Sequence, residues 1–335
     1  MTIFVRMADA PLSEAGSLPH LDAARLGRLL DGAPVVESLL AVYRGRPATP
    51  LRQRFGQADG REMIVMPTWG DPYGGVKILT VIPANAGTAL PVISGLFTLY
   101  DMESGAALAT MDASELTARR TAGVAAAAAD RLARPDARTL TLVGAGHIIP
   151  SLGAAHAAVR PIDRILVWAR RPEAARSAAD RLRARLDPDR GIIVEAHGDL
   201  EAAIRQADIV SAATRATTPL IEGAWLSPGT HVDLVGGYRP DMREIDDAGI
   251  ARSTIFVDDR TGALAEAGDL IDPIANGVAT PASIRGDLAD LALGLTGRSG
   301  ADEITLFKSV GVAASDLAVA VLAWRRHAER RAQQA

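Results

Sequence analysis

Of thirty-six basic residues in this 335-residue chain, all but Lys77 and Lys308 are arginine. A lysine kept against such a bias points to chemistry that arginine cannot do. Its ammonium is a compact point charge whose pKa moves with burial and which can give up a proton. A second chemical signal is the stretch TLTLVGAGHIIP, which sets Gly144 and Gly146 between a strand-like run and a helix-like run. A G-x-G turn in that context lets backbone N–H groups and a helix N-terminus face a pyrophosphate. The fingerprint's third glycine position holds Ile149, with Pro150 following. A looser strand–helix contact, or a helix that starts later, is expected there.

The end of the next strand bears on which dinucleotide fits. Sites for NAD place an acid there to hold the ribose 2′-hydroxyl. This chain reads Trp168-Ala169-Arg170-Arg171. Two guanidiniums suit a 2′-phosphate through their bidentate forks. NADPH is therefore the expected cofactor, with NADH as the alternative. Thr214, after the run DIVSAA, is expected near the nicotinamide ribose.

Composition narrows the rest. The net charge of −4 argues against a nucleic-acid partner, which demands a basic surface. The absence of cysteine excludes disulfides, thiolate metal sites and a cysteine nucleophile. The six histidines show no metal-ligand spacing, so no metal is expected, and His147 reads as a loop or helix-start residue. No G-x-S-x-G elbow occurs. No apolar run has the length of a signal peptide or a membrane span, and a soluble, cytoplasmic protein is expected.

The elements that must position these residues fall into two blocks. Residues 1–20 read as a loose arm and 21–31 as a short amphipathic helix. From Arg44–Pro50, a loop, to Met111, β-type runs alternate with turn residues, and DMESG joins two of them as a hairpin. That block reads as antiparallel sheet. Asp112 and Glu115 have capping-box spacing ahead of a helix that stops at Arg134-Pro135. From Arg138 to about Asp259, nearly continuous apolar strands alternate with helices, the mark of a parallel sheet covered on both faces. A long amphipathic helix from Ser315 to about Arg331 is expected to return to the first domain.

Read together and in order, TPLRQRF, GGVKILT, MDASELTARRTA, LVGAGHI, VGGYRPDMREID and TLFKSVG resemble the ornithine cyclodeaminase/mu-crystallin family. The resemblance covers roughly residues 40–325. Through YRPDMREID and GDLIDPIANG it is nearest to the family's Δ1-pyrroline-2-carboxylate reductase branch. It implies an α/β fold: a Rossmann-type doubly wound parallel sheet over 119–309, and a substrate-binding and dimerisation domain over 1–118 and 310–335. The latter would be an antiparallel β-rich domain completed by the C-terminal helix, in a homodimer. The resemblance also assigns roles. Arg52 and Arg120 match carboxylate-binding arginines, Lys77 matches the substrate lysine with a catalytic role, and Thr121 matches a residue holding the cofactor pyrophosphate. Convergent cations are what rigid binding of an imino-acid carboxylate needs.

Two departures separate this chain from the cyclodeaminases. The aspartate that follows their paired glycines is Tyr238 here, a proton donor or pocket wall. A substrate-contacting glutamate thirteen residues before the lysine is Ile64. Asp241 reads as a turn cap. Lys308 is a second lysine that could approach the site. Loss of both acids favours reduction of an existing imine, since a diamine needs a polar handle and a base. The expected reaction is NAD(P)H-dependent reduction of Δ1-pyrroline-2-carboxylate to L-proline, and of Δ1-piperideine-2-carboxylate to L-pipecolate. The alternatives are an ornithine cyclodeaminase, an alanine dehydrogenase-like enzyme, or a non-catalytic NADPH-linked ligand binder of the mu-crystallin type.

Overall fold

A computed structural model describes residues 18–333, so the arm expected over 1–20 lies outside the described residues except at its end. The chain divides into two compact units. Unit 1 comprises Met1–Arg120 with Val312–Ala335, and unit 2 is Thr121–Gly311.

Unit 1 opens with strand β1 (His20–Leu21) and helix α1 (Ala23–Leu29), capped by Asp22, which accepts from the Arg25 backbone N–H at 2.7 Å. A further helix, α2 (Ala33–Arg44), was not read from the sequence. Gly32, at φ +70°, takes the conformation that glycine permits, and a proline in the first turn restarts the helix. Strands β2 (Gln53–Gly56), β3 (Glu62–Trp69), β4 (Tyr73–Val81), β5 (Ile93–Asp101) and β6 (Ala107–Asp112) form an antiparallel meander. The sheet order is β1-β6-β5-β4-β3-β2, with β1 parallel to β6. The DMESG hairpin is held by Asp101 Oδ1, which accepts from the backbone N–H groups of Glu103 and Ser104 at 3.0 and 2.8 Å.

The register sorts the side chains of this sheet, because directly paired residues share a face. Met66 pairs with Lys77, and Lys77 with Phe97. That face is buried and includes Ile64, Leu99 and Met111. The C-terminal helix (Ala313–Ala332) returns within this unit to pack on β3 and β4 and on α2, where Ser38 Oγ donates to the Ala318 carbonyl at 2.9 Å. The other face presents Phe55, Met63, Ile78 and Leu96, all exposed.

Helix α3 (Ala113–Leu132) starts in unit 1 and ends in unit 2, just ahead of Pro135. Asp112 caps it, accepting from the Glu115 N–H at 2.7 Å. Unit 2 then runs β7 (Thr139–Val143), α4 (Ile149–Val159), β8 (Arg164–Trp168), α5 (Pro172–Arg183), β9 (Ile193–Ala196), α6 (Leu200–Arg205), β10 (Ile209–Ala212), β11 (His231–Leu234), α7 (Asp247–Arg252), β12 (Thr254–Val257), α8 (Arg260–Glu266), α9 (Gly268–Ala275), β13 (Ile284–Asp287), α10 (Leu288–Leu293) and β14 (Thr305–Lys308). All eight strands are parallel, in the order β13-β12-β14-β11-β10-β7-β8-β9. Neighbouring strand residues such as Leu142 and Val143, or Ile209 and Val210, enter different hydrophobic cores, so helices cover both faces. Among the described residues no helix is long and apolar enough to cross a membrane.

Candidate functional site

In unit 1 the central feature is a buried ion cluster. Lys77 lies on the covered face of β4 with 1% of its surface exposed. Its Nζ sits 2.6 Å from Asp316 Oδ2, and the second oxygen of that carboxylate is 3.2 Å from Arg120 Nε. Thr117 Oγ1, one helical turn before Arg120, is 3.5 Å from the ammonium. Burial pushes the Lys77 pKa down to about 8; Asp316 opposes that shift, while the guanidiniums of Arg120 and Arg52 add to it. Both arginines singled out in this part of the sequence therefore act on Lys77. Asp316 was missed. Its signal was an acid in the first turn of a helix that begins AASDLAVAV, where every neighbour is small or apolar. Ile64 is buried on the same face as Lys77, against Met66 and Ala313. No carboxylate stands at that position for a second substrate amine.

In unit 2 the glycine turn leaves β7 with Gly144 at φ +131°, a conformation that favours glycine. A Cβ on Gly144 would lie 2.7 Å from the Ala213 carbonyl oxygen, whereas one on Gly146 would point into open space. The helix α4 begins at Ile149 without a side-chain cap, so its first amides are not satisfied by a capping group. These are features a pyrophosphate uses, and the turn fits a dinucleotide. Helix α4 starts only at Ile149, the later start expected there, and its close contacts with α5 and β7 are made at Gly153. A Cβ there would meet Leu182 at 2.6 Å and Leu142 at 3.3 Å. Helix α4 is also tied to the sheet by His156, whose Nε2 lies 3.1 Å from Asp233 Oδ2 on β11. His231 Nε2 holds the other oxygen at 3.0 Å. Burial pushes the Asp233 carboxyl up, but the two histidines outweigh it and hold it below the usual range.

Arg170 and Arg171 are both exposed at the end of β8. Among the described residues, the carboxylate paired with Arg171 is the distant Glu173, at 3.8 Å. Thr121 is buried in α3. Thr214 and the loop bearing Tyr238 are joined through one carboxylate. Glu244 Oε1 accepts from the Thr214 backbone N–H and hydroxyl at 2.7 and 2.8 Å. Its Oε2 accepts from the N–H of Gly236 at 2.8 Å and of Gly237 at 3.3 Å. Burial raises the Glu244 pKa, and Lys308 works against that shift. The Lys308 ammonium is itself fully buried, 2.8 Å from Asp269 Oδ2 and 4.0 Å from Glu244. It is thus committed to carboxylates of its own unit. Asp241, read as a turn cap, pairs with Arg239 at 3.0 Å. Glu244 and Asp269 were not singled out: Glu244 stands in the charged run DMREIDD, where nothing local marks its burial, while Asp269 has small or apolar neighbours in AGDLI.

Residues 27–330 match the model of the ornithine cyclodeaminase/mu-crystallin family. A Δ1-pyrroline-2-carboxylate reductase of Paracoccus denitrificans is 43% identical over 277 residues, 82% of this chain and 86% of that one. Among solved structures, the chain is similar to a Thermococcus litoralis Δ1-pyrroline-2-carboxylate reductase in complex with NADH and L-proline. That match has a TM-score of 0.87 and 31% identity, covering 93% of this chain and 98% of the other. It is also similar to an archaeal alanine dehydrogenase dimer with bound NAD, at a TM-score of 0.86 and 25% identity, covering 94% and 97%.

Proposed function

Because the chain belongs to the ornithine cyclodeaminase/mu-crystallin family, we propose that it is an imine reductase using a nicotinamide cofactor. The substrate is a cyclic ketimine carboxylate: Δ1-pyrroline-2-carboxylate goes to L-proline, and Δ1-piperideine-2-carboxylate to L-pipecolate. The observation that carries this reading is the Lys77–Asp316–Arg120 cluster, with a buried ammonium whose pKa is about 8. It is supported by the activity of the Paracoccus relative and the ligands of the Thermococcus structure.

Arg52 and Arg120 take the substrate carboxylate, as guanidinium forks do. Lys77 adds charge and gives a proton to the ring nitrogen, which makes C2 more electrophilic. The bound cofactor supplies the hydride that completes the C–H bond at C2. Lys77 then regains its proton from water, so one hydride and one proton convert the C=N bond to a secondary amine. Ile64 and Tyr238 replace the acids a diamine would need, and Tyr238 serves as a pocket wall. Gly144, Gly146 and Thr121 hold the pyrophosphate, Thr214 lies by the nicotinamide ribose, and Arg170 and Arg171 take a 2′-phosphate, which makes NADPH the preferred cofactor. The protein acts as a homodimer.

The test is oxidation of NADPH with Δ1-pyrroline-2-carboxylate, with ornithine plus NAD⁺ and pyruvate plus ammonia as controls. Turnover of the imine alone supports the reductase. Turnover of ornithine, or none with NADPH still bound, overturns it. Fluorescence titration addresses the cofactor: equal affinity for NADPH and NADH in the unaltered protein refutes the phosphate assignment of Arg170 and Arg171.

A further inference from the structure

Within unit 1, α1 and the C-terminal helix flank an open cavity of about 190 Å³ lined by Arg25, Arg28, Leu29, His327, Arg330 and Arg331. Among the described residues, none of these four arginines forms an ion pair with a carboxylate. Arg330 donates to a backbone carbonyl, that of Arg28, at 3.4 Å. Nearby Arg119 shows the ordinary arrangement, paired with Glu115 at 2.7 Å. The chain as a whole carries more acids than bases. The four arginines are exposed, and like charges gathered round one concavity without a carboxylate partner among the described residues repel one another. His327 is 4% exposed, and among the described residues its ring makes contact with Trp324, centroids 6.0 Å apart, but has no hydrogen-bond partner. Burial, then Arg25 and Arg331, push its pKa down. An imidazole with no hydrogen-bond partner among the described residues, beside four guanidiniums, leaves a group of donors that an oxyanion could accept from.

We propose that this cavity binds a phosphate or diphosphate group, at a site separate from the Lys77 cluster and from the glycine turn. A tetrahedral, polyvalent oxyanion has enough acceptor positions to engage several guanidinium forks together, which the two oxygens of a single carboxylate do not. The cavity suits one or two phosphoryl groups rather than a whole nucleotide, so any organic portion projects outward. An anion there cancels the repulsion between the arginines and gives His327 a partner. It also favours the charged imidazole.

The test uses the intact protein saturated with NADPH, so that cofactor phosphates already occupy their own site. Calorimetric titration with inorganic pyrophosphate should saturate. The double variant Arg28→Ala/Arg331→Ala should weaken that binding at least tenfold with imine reduction unchanged, whereas Arg170→Ala/Arg171→Ala should leave it intact. The ring signals of His327, assigned through His327→Gln, should show a higher pKa with pyrophosphate than without. ADP binding as tightly as pyrophosphate supports the site with an organic diphosphate as ligand, and exclusion of ADP supports it with the free inorganic anion. Absence of saturation, equal affinity in the Arg28/Arg331 variant, an unmoved His327 pKa, or tighter binding of citrate than of pyrophosphate each overturns the proposal.

Discussion

Lys77 is a charged group kept where burial disfavours charge, and one carboxylate, Asp316, is what keeps it usable. If Lys77 protonates the imine, kcat/KM for reduction should fall as pH rises through about 8, since the acid form is lost there. Lys77→Met should retain NADPH binding and lose turnover by about 10²–10⁴-fold, the usual worth of a positioned proton donor. Unchanged turnover would remove Lys77 from the mechanism. Asp316→Asn makes a sharper test. The negative charge of Asp316 raises the Lys77 pKa, so its removal lowers that pKa further. The alkaline limb of the pH profile should therefore move to lower pH. A limb that stays in place would assign it to another group. These partners explain why local spacing is a poor guide to the site. Lys77 and Asp316 are 239 residues apart in the chain. The rarity of lysine and the family-like motifs flagged Lys77, Arg52 and Arg120, but the carboxylate between them depends on the return of the C-terminal helix.

At the scale of elements, what the sequence shows is set by periodicity and turn chemistry. The β-hairpin, the capped start of α3 and the glycine turn are local features, and the structure has each where the residues put it. Strands β13 and β14 were not read: β13 (IRGD) carries a single apolar side chain, and both lie past the strand–helix alternation read as ending near Asp259. Their place in the sheet comes from pairing, with β14 inserted between β11 and β12. That insertion brings Lys308 to Asp269 and Glu244, and so ties a strand to the loops that carry Thr214 and Tyr238. Lys308→Met would leave two buried carboxylates without a counter-charge, at a cost of about 3–5 kcal/mol. The expected outcome is a clearly lower urea midpoint. The double variant Lys308→Met/Asp269→Asn should recover part of the loss, because it removes one of the stranded charges. The pH dependence has a definite sign. The damage should shrink as pH falls and Glu244, whose pKa is already raised by burial, takes up a proton. An unchanged midpoint for Lys308→Met would show that the buried pair contributes nothing net.

For the whole molecule, β4 would connect the proposed chemistry to assembly. Its residues alternate between faces, so Lys77 points to the covered side and Ile78 to the open one. Phe55, Met63, Ile78 and Leu96 make that open side an apolar sheet face, with Phe55 57% exposed. Contiguous apolar surface of this kind is usually an interface rather than a solvated wall. A second copy of the same face, related by a two-fold axis, would cover it without leaving an open-ended contact. Sedimentation of the unaltered protein should then give twice the 35.1 kDa mass of one chain. Ile78→Glu/Leu96→Glu places two charges on the face without touching the buried side of the sheet. It should yield a folded monomer, with an unchanged far-ultraviolet spectrum. Its turnover should drop while NADPH binding persists, because the glycine turn belongs to unit 2 and β4 to unit 1. A variant that still sediments as a dimer would place the interface elsewhere. A variant that is monomeric and fully active would show that the face serves assembly without supporting Lys77.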